Sequence, residues 1–390
     1  MLKTKFHVHI EPQIKTKEKL SDIINRINWW LPFDNIDITI HVAENLLNSD
    51  INHLETPTGQ FRYIGKSNCH IHLQDATVNT IPDYLLCHVN DEVKYYEAVF
   101  PNTPVLTIDK FKPFFKGEAS SWGRVSYETQ KYRISEYDSI SKRNIIKFEN
   151  SIRDIDVSYC FTSGPSLDRY RKHYFKKKSL KIICNGVIYN KELLEYLGNI
   201  DLLCVLDVYY FFSSSIYTAK FFETVIEYLK NKSMYIVMPW YKLPLVLSHY
   251  PKLENNIIGI STSHTELNFP SLKTPFVKKE KYPNVLRTFM LPIASAYTNE
   301  IYILGADGYS SNDSRDENWK YSVQIKNDEA RNSVKEVNPA LTKERESHSI
   351  YLEHCKQLDE LLQFGRKKGN RYYSMEKSNI ECLNNIYIDK

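Results

Sequence analysis

Five stretches of this sequence combine residue types and positions that can do chemistry. The first is Thr162-Ser163-Gly164-Pro165-Ser166, directly after an apolar run that starts at Val157. Glycine lets backbone N–H groups approach a phosphate, proline stiffens the turn, and the Ser166 hydroxyl can donate a hydrogen bond or cap a helix. An ordinary strand–turn–helix junction uses the same residues. The second is Cys184-Asn185-Gly186, at the end of the next apolar run. The Asn185 side chain offers both donor and acceptor groups to a base or a ribose, although Asn-Gly is also a common turn. The third is Asp207, preceded by Leu202, Leu203, Val205 and Leu206. A carboxylate at the carboxyl end of a strand can act as nucleophile, base or hydroxyl ligand, or can cap the turn that follows. The fourth is Ile301-Tyr302-Ile303-Leu304-Gly305-Ala306-Asp307-Gly308-Tyr309. Here Asp307 can bind ribose hydroxyls or sit in an Asx turn, with Gly305 and Tyr309 beside it. The fifth is His348, in Glu346-Ser347-His348-Ser349, because imidazole is the side chain suited to proton transfer near neutral pH. His249 and His264 are weaker candidates of the same kind.

No metal motif accompanies them. Asp154-Ile155-Asp156 has a D-x-D spacing, but it precedes an expected strand rather than ending one, and reads as a solvated helix end. H-E-x-x-H, Walker A, G-x-G-x-x-G and G-x-S-x-G patterns do not occur.

The elements that must carry these residues alternate in type. Expected strands lie at Phe6–Ile10, Ile36–Val42, Tyr84–Val89 and Pro104–Ile108, with helices at Thr16–Trp30 and Asp91–Val99. Residues 112–126, rich in Pro, Gly, Ser and Lys, read as a linker. Residues 126–153 read as a bridging helix broken near Ser139–Ser141. A second series of strands is expected at 157–162, 180–185, 202–207, 234–238, 257–260 and 301–305. Its helices are expected at 191–197, 216–230, 285–297 (kinked at Pro292) and 342–368, and residues 310–340 read as a long polar loop. Alternation of this kind predicts an α/β protein with parallel sheets. It also predicts two Rossmann-like domains facing across a cleft: a first domain over 1–115, linker and bridging helix over 116–155, and a second domain over 156–390. Ligands bind such sheets at the carboxyl ends of the strands, where the five stretches fall.

Composition narrows the classes. The chain has 390 residues, 42% hydrophobic and 25% charged, so a packed globular protein is expected. Its net charge of +4 argues against a dedicated nucleic-acid binder. The seven cysteines are scattered, never in C-x-x-C pairs, and read as reduced thiols. The first dozen residues lack the apolar core of a signal peptide, and no run approaches the ~18 apolar residues of a membrane span. A cytoplasmic protein is therefore expected, soluble or peripheral at the inner membrane.

In order and spacing, four of the stretches resemble the bacterial CMP-sialic acid transferases and the related bacterial β-Kdo transferases, over roughly 157–374. The resemblance rests on Gly164-Pro165-Ser166-Leu167, on Cys184-Asn185, on the stretch from Glu300 to Tyr309, and on Ser347-His348. It implies a glycosyltransferase of GT-B-like arrangement that needs no metal or cofactor. CMP would be held in the C-terminal domain by Ser163, Gly164, Pro165, Ser166, Asn185, Gly186, Gly305, Asp307 and Tyr309. In the sialyltransferases the lid histidine is the general base of an inverting transfer, a role that falls on His348 here. Two departures point to the β-Kdo branch. Arg287-Thr288-Phe289-Met290-Leu291 stands where the sialyltransferases carry Arg-x-x-Ser-Gly, and Asp207 stands where they carry Asn. The β-Kdo enzymes are retaining, which makes Asp207 the candidate nucleophile. The expected donor is CMP-Kdo, with CMP-sialic acid as the alternative, and the expected acceptor is a saccharide or glycolipid of surface polysaccharide or lipopolysaccharide synthesis. A pyrophosphokinase-like protein and a non-catalytic nucleotide- or carbohydrate-binding module are the readings outside this class.

Overall fold

Alternating apolar residues in Ile36–Val42, with Ile36, Ile38, Ile40 and Val42 all buried, make a strand that packs one face on a core. By contrast Val157–Phe161, Leu180–Cys184 and Leu202–Cys204 are buried at every position, the pattern of strands covered on both faces of a parallel sheet. A computed structural model describes residues 4–63, 68–75, 80–112, 118–271, 273–280, 283–308, 328–340 and 348–389.

The protein is α/β, with two wholly parallel sheets. The first contains β1 (Phe6–Ile14), β2 (Ile36–Val42), β3 (His70–Gln74), β4 (Tyr84–Cys87) and β5 (Val105–Thr107). Their spatial order is β3-β2-β1-β4-β5, which reverses between β1 and β4 as in doubly wound folds. The helix Lys17–Trp30 follows β1. Its N-cap Thr16 accepts a hydrogen bond from the Lys19 N–H, a device that stabilises a helix by about 1 kcal/mol.

The second sheet contains β6 (Val157–Phe161), β7 (Leu180–Cys184), β8 (Leu202–Cys204), β9 (Tyr235–Pro239), β10 (Ile257–His264), β11 (Phe276–Lys278), β12 (Glu300–Leu304) and β13 (Arg371–Ser374). The order is β11-β10-β9-β8-β7-β6-β12-β13. The chain runs outward from β6 to β11, then returns to the other side of β6. The strand order therefore reverses between β6 and β12.

Several expectations are corrected. The linker expected over 112–126 contains a helix, Glu118–Thr129. Gly123 and its serines lower helix propensity, but Ala119, Trp122, Val125, Ser126 and Thr129 are buried on one face, so packing overrides propensity. The helix Ile134–Ser151 is unbroken at Ser139–Ser141; the interruption falls earlier, at the 3₁₀ turn Lys131–Arg133. Part of the loop expected over 310–340 is a helix, Asp328–Val337, whose Ala330, Ser333, Val334 and Val337 are buried. The Pro292 kink takes the form of a π-helical turn, Leu286–Met290, leading into the helix Leu291–Tyr297. Strands β3, β11 and β13 were not expected, and β10 runs four residues longer than expected.

One contiguous apolar cluster includes core residues of both sheets. Trp29 donates its indole N–H to the Phe212 carbonyl at 3.0 Å and stacks on His249, with ring centroids 4.4 Å apart. Arg26 reaches the Val337 carbonyl at 3.0 Å. Backbone hydrogen bonds from Phe61 to Ser214 and from Ile216 to Gly59, both 3.0 Å, tie the two units together. None of the described helices is long and apolar enough to cross a membrane.

Candidate functional site

The reversal between β6 and β12 brings two of the five stretches into contact. The loop after β6 carries Ser163–Ser166, and the loop after β12 carries Gly305–Gly308. Gly164 donates its N–H to the Gly305 carbonyl at 2.8 Å. Ser166 donates its N–H and its hydroxyl to Asp307 Oδ2, at 3.1 and 3.0 Å. Asp307 thus serves as an N-cap, supplied from another strand, for the 3₁₀ helix Pro165–Lys172. A Cβ on Gly164 would collide with the Asp307 carboxylate, and one on Gly305 (φ +88°) with the Thr162 carbonyl. Glycine is needed at both places because two loops cross at backbone distance.

The loop's donors are therefore largely engaged by the protein itself. Gly164 and Ser166 face β12, Leu167 N–H returns to the Gly164 carbonyl at 3.0 Å, Pro165 has no N–H, and the Ser163 N–H faces the Cys184 thiol. The Asp307 carboxylate occupies the position at a helix start that an anion would take. Burial holds its pKa above the ordinary carboxylate value, while the Ser166 hydrogen bonds and Arg169 act in the opposite direction.

Asn185 ends β7, the neighbour of β6. Its backbone is left-handed, with φ +48°, a conformation that a non-glycine residue adopts at a cost. Its Oδ1 is buried and accepts no hydrogen bond from the described residues. An unsatisfied buried acceptor costs about 1–3 kcal/mol. Strain and an unfilled acceptor thus coincide at one strand end. Gly186 follows it, buried in the 3₁₀ turn Asn185–Tyr189.

Asp207 lies just beyond β8. Its Oδ1 accepts from the Tyr209 and Tyr210 N–H groups, at 3.0 and 3.2 Å, so it caps the helical turn Val208–Phe211. That fixes the direction of the half-buried carboxylate. The segment after this turn is the one that Trp29 and residues 59–61 of the first unit grip.

Lys242 lies beyond β9 and is not among the five stretches that the sequence singles out. It is 2% exposed, and its Nζ lies over the rings of Trp30, Tyr241 and Phe212 at 4.6, 5.3 and 5.6 Å. Burial pushes its pKa down to about 7. The order β12-β6-β7-β8-β9 thus sets Asp307, Ser163–Ser166, Asn185, Asp207 and Lys242 side by side along one sheet edge, in steps of about 4.8 Å. The signal that could have found Lys242 is the aromatic cluster Trp240-Tyr241 at the end of a buried strand.

Tyr309 and the His348 side chain lie outside the described residues; the backbone of His348 opens the helix His348–Lys367. Arg287, at the start of the stretch that departs from the sialyltransferase Arg-x-x-Ser-Gly pattern, is buried in a bidentate ion pair with Glu280, at 2.7 and 3.0 Å. Asp154 and Asp156 are exposed ahead of β6. Among the described residues no group of three or more His, Cys, Asp or Glu side chains could hold a metal. Cys160, Cys184 and Cys204 are buried in adjacent strands, with their thiol pKa values raised by burial. Comparison of the chain with protein-family models, with curated proteins and with solved structures gives no match.

Proposed function

We propose that this protein is a CMP-sugar-dependent glycosyltransferase. It carries Kdo from CMP-Kdo to a saccharide acceptor and binds the donor nucleotide at the carboxyl ends of β6, β7, β8 and β12, in a GT-B-like arrangement. The observation that carries the reading is Asn185. A strained residue with a buried acceptor that no described residue fills sits next to the reversal point of the second sheet, where doubly wound folds bind nucleotides. An N–H donor from the ligand satisfies Oδ1, and the cytosine amino group is such a donor. The Nδ2 amide supplies the complementary donor. The Ser163–Ser166 loop, braced by Asp307, shapes the floor of this site, and its Ser163 hydroxyl can face the phosphate.

In the reaction, an Asp207 carboxylate oxygen attacks the anomeric carbon of Kdo. The bond from that carbon to the phosphate oxygen breaks, and CMP leaves with the electron pair. The acceptor hydroxyl then displaces Asp207, losing its proton to a base, and configuration is retained overall. The capping hydrogen bonds at Oδ1 hold the carboxylate in one orientation before attack.

Calorimetric titration with CMP, UMP, AMP and GMP, followed by intact-mass measurement with CMP-Kdo and CMP-sialic acid, tests this. CMP is expected to bind best. Asn185→Ala is expected to weaken CMP by about tenfold, the loss of one hydrogen-bonded pair. A one-sugar mass increase that is absent in Asp207→Asn is expected with CMP-Kdo. Equal binding of all four nucleotides, or transfer that persists in Asp207→Asn, overturns the reading.

A further inference from the structure

A cavity of about 210 Å³ lies on the second unit, away from the β6–β12 reversal. It is lined by Asp138, Ser141, Lys142, Ile145, Trp240, Gly259, Ser261, Pro275 and Phe276. Its walls are the helix Ile134–Ser151 on one side and, on the other, Trp240 just beyond β9, the middle of β10 and the start of β11. The volume is more than ten times the ~15 Å³ that one water needs, yet below the ~300 Å³ of pockets that take drug-sized ligands. That range fits a single ring with its substituents.

The lining has three parts. Trp240 and Phe276 are half-buried aromatic rings. Trp240 is held in place by its indole N–H, which donates to Asp138 Oδ1 at 2.8 Å, and by the edge of Tyr127, at a centroid distance of 5.8 Å. Phe276 is stacked on His264 at 4.8 Å. The Asp138 carboxylate keeps its second oxygen, which accepts nothing from the described residues. Lys142, one turn along the same helix, adds an exposed ammonium at the rim, and Ser261 adds a hydroxyl.

From this lining we infer that the cavity is a saccharide subsite. A pyranose has an apolar C–H face, which can lie flat on an indole or phenyl ring. It also has hydroxyls that donate to a carboxylate and accept from an ammonium. A free phosphate is disfavoured by Asp138, and a purely apolar ligand by the charged rim. The cavity lies along β10, two strands from β8, whose carboxyl end leads to Asp207, and so about 10 Å from it along the sheet. That offset exceeds the span of one pyranose, so a sugar held there is set back from the ring that receives the donor, which makes the acceptor at least a disaccharide. That this sugar belongs to an acceptor rests on the glycosyltransferase reading; that the cavity holds a sugar does not.

Saturation-transfer NMR on the whole chain tests the subsite, with lactose, sialyllactose and methyl glucoside as probes and CMP as comparison. Transfer to the ring protons of at least one sugar is expected. Trp240→Ala and the milder Asp138→Asn should each weaken it by about tenfold. Ser261→Trp, which fills the cavity at the cost of the Ser261 hydroxyl and its hydrogen bond with Ser263, should abolish it, and all three should leave CMP affinity unchanged. No transfer to any of the sugars, unaltered transfer in Asp138→Asn and Ser261→Trp, or displacement of the sugar by CMP overturns the inference. Loss of CMP binding with sugar binding intact counts against the glycosyltransferase reading alone.

Discussion

Lys242 is a buried amine whose neighbours are aromatic faces rather than carboxylates. Cation–π contacts offset part of the desolvation of an ammonium, but a paired anion would offset more. The lowered pKa has a definite sign. The unfolded chain binds the proton up to the ordinary value of 10.5, whereas the folded protein releases it above about 7. The penalty is therefore full below pH 7 and is relieved as pH rises from 7 toward 10.5. Lys242→Met is expected to stabilise the protein by about 2 kcal/mol at pH 6, with a smaller gain at pH 9, read from urea unfolding at the two pH values. Equal gains at both would mean that the amine is not desolvated. Of the residues along this sheet edge, Ser163, Ser166, Asn185, Asp207 and Asp307 were legible because each follows an apolar run, where a carboxyl end must fall. Lys242, Trp240 and Asp138 were not. For Lys242 the only signal is the pair Trp240-Tyr241 that precedes it, and nothing in a mid-helix aspartate shows that folding will set a cavity against it.

At the scale of elements, the contact between the β6 and β12 loops is the feature most exposed to a single change. Asp307 holds Ser166 through backbone and hydroxyl, and it caps the 3₁₀ helix that follows. Asp307→Ala removes the cap and leaves the Ser166 N–H without its partner. A loss of about 2 kcal/mol in unfolding free energy is expected; Asp307→Asn, which keeps one acceptor oxygen, should lose about half of that. The strands bearing these loops were legible to within a residue or two, because β6 is buried at every position and β12 at Ile301, Ile303 and Leu304, which leaves both nearly continuously apolar. Strands β3, β11 and β13, at sheet edges, were not, whereas the edge strand β5 was, because its run from Pro104 to Ile108 is apolar. Three of the five residues of β3 are exposed. The helix Glu118–Thr129 escaped for the opposite reason. Its residues favour a loop locally, and only contact with the rest of the chain makes it helical.

At the scale of the molecule, two histidines link stability to acid. His88, in the first unit, donates its Nε2–H to the Pro12 carbonyl at 2.8 Å, and His354 lies in the helix His348–Lys367 of the second. Burial lowers both pKa values to about 4 from the ordinary 6.5. The stability they confer is full above pH 6.5 and is lost as pH falls toward 4, on the order of 3 kcal/mol for each. Unfolding followed by circular dichroism is expected to weaken steeply across that window as one transition, and His88→Gln with His354→Gln to flatten the slope. Two separate transitions would contradict a core shared by both sheets. That shared core also has a consequence for how the protein is made. Arg26 and its carbonyl partner at Val337 are 311 residues apart in sequence. At 5–20 residues per second, a ribosome needs about 15–60 s to bridge that gap. Trp29 waits 220 residues, about 11–44 s at that rate, for His249, and through that wait the nascent first unit presents an uncovered indole that a holding chaperone can bind.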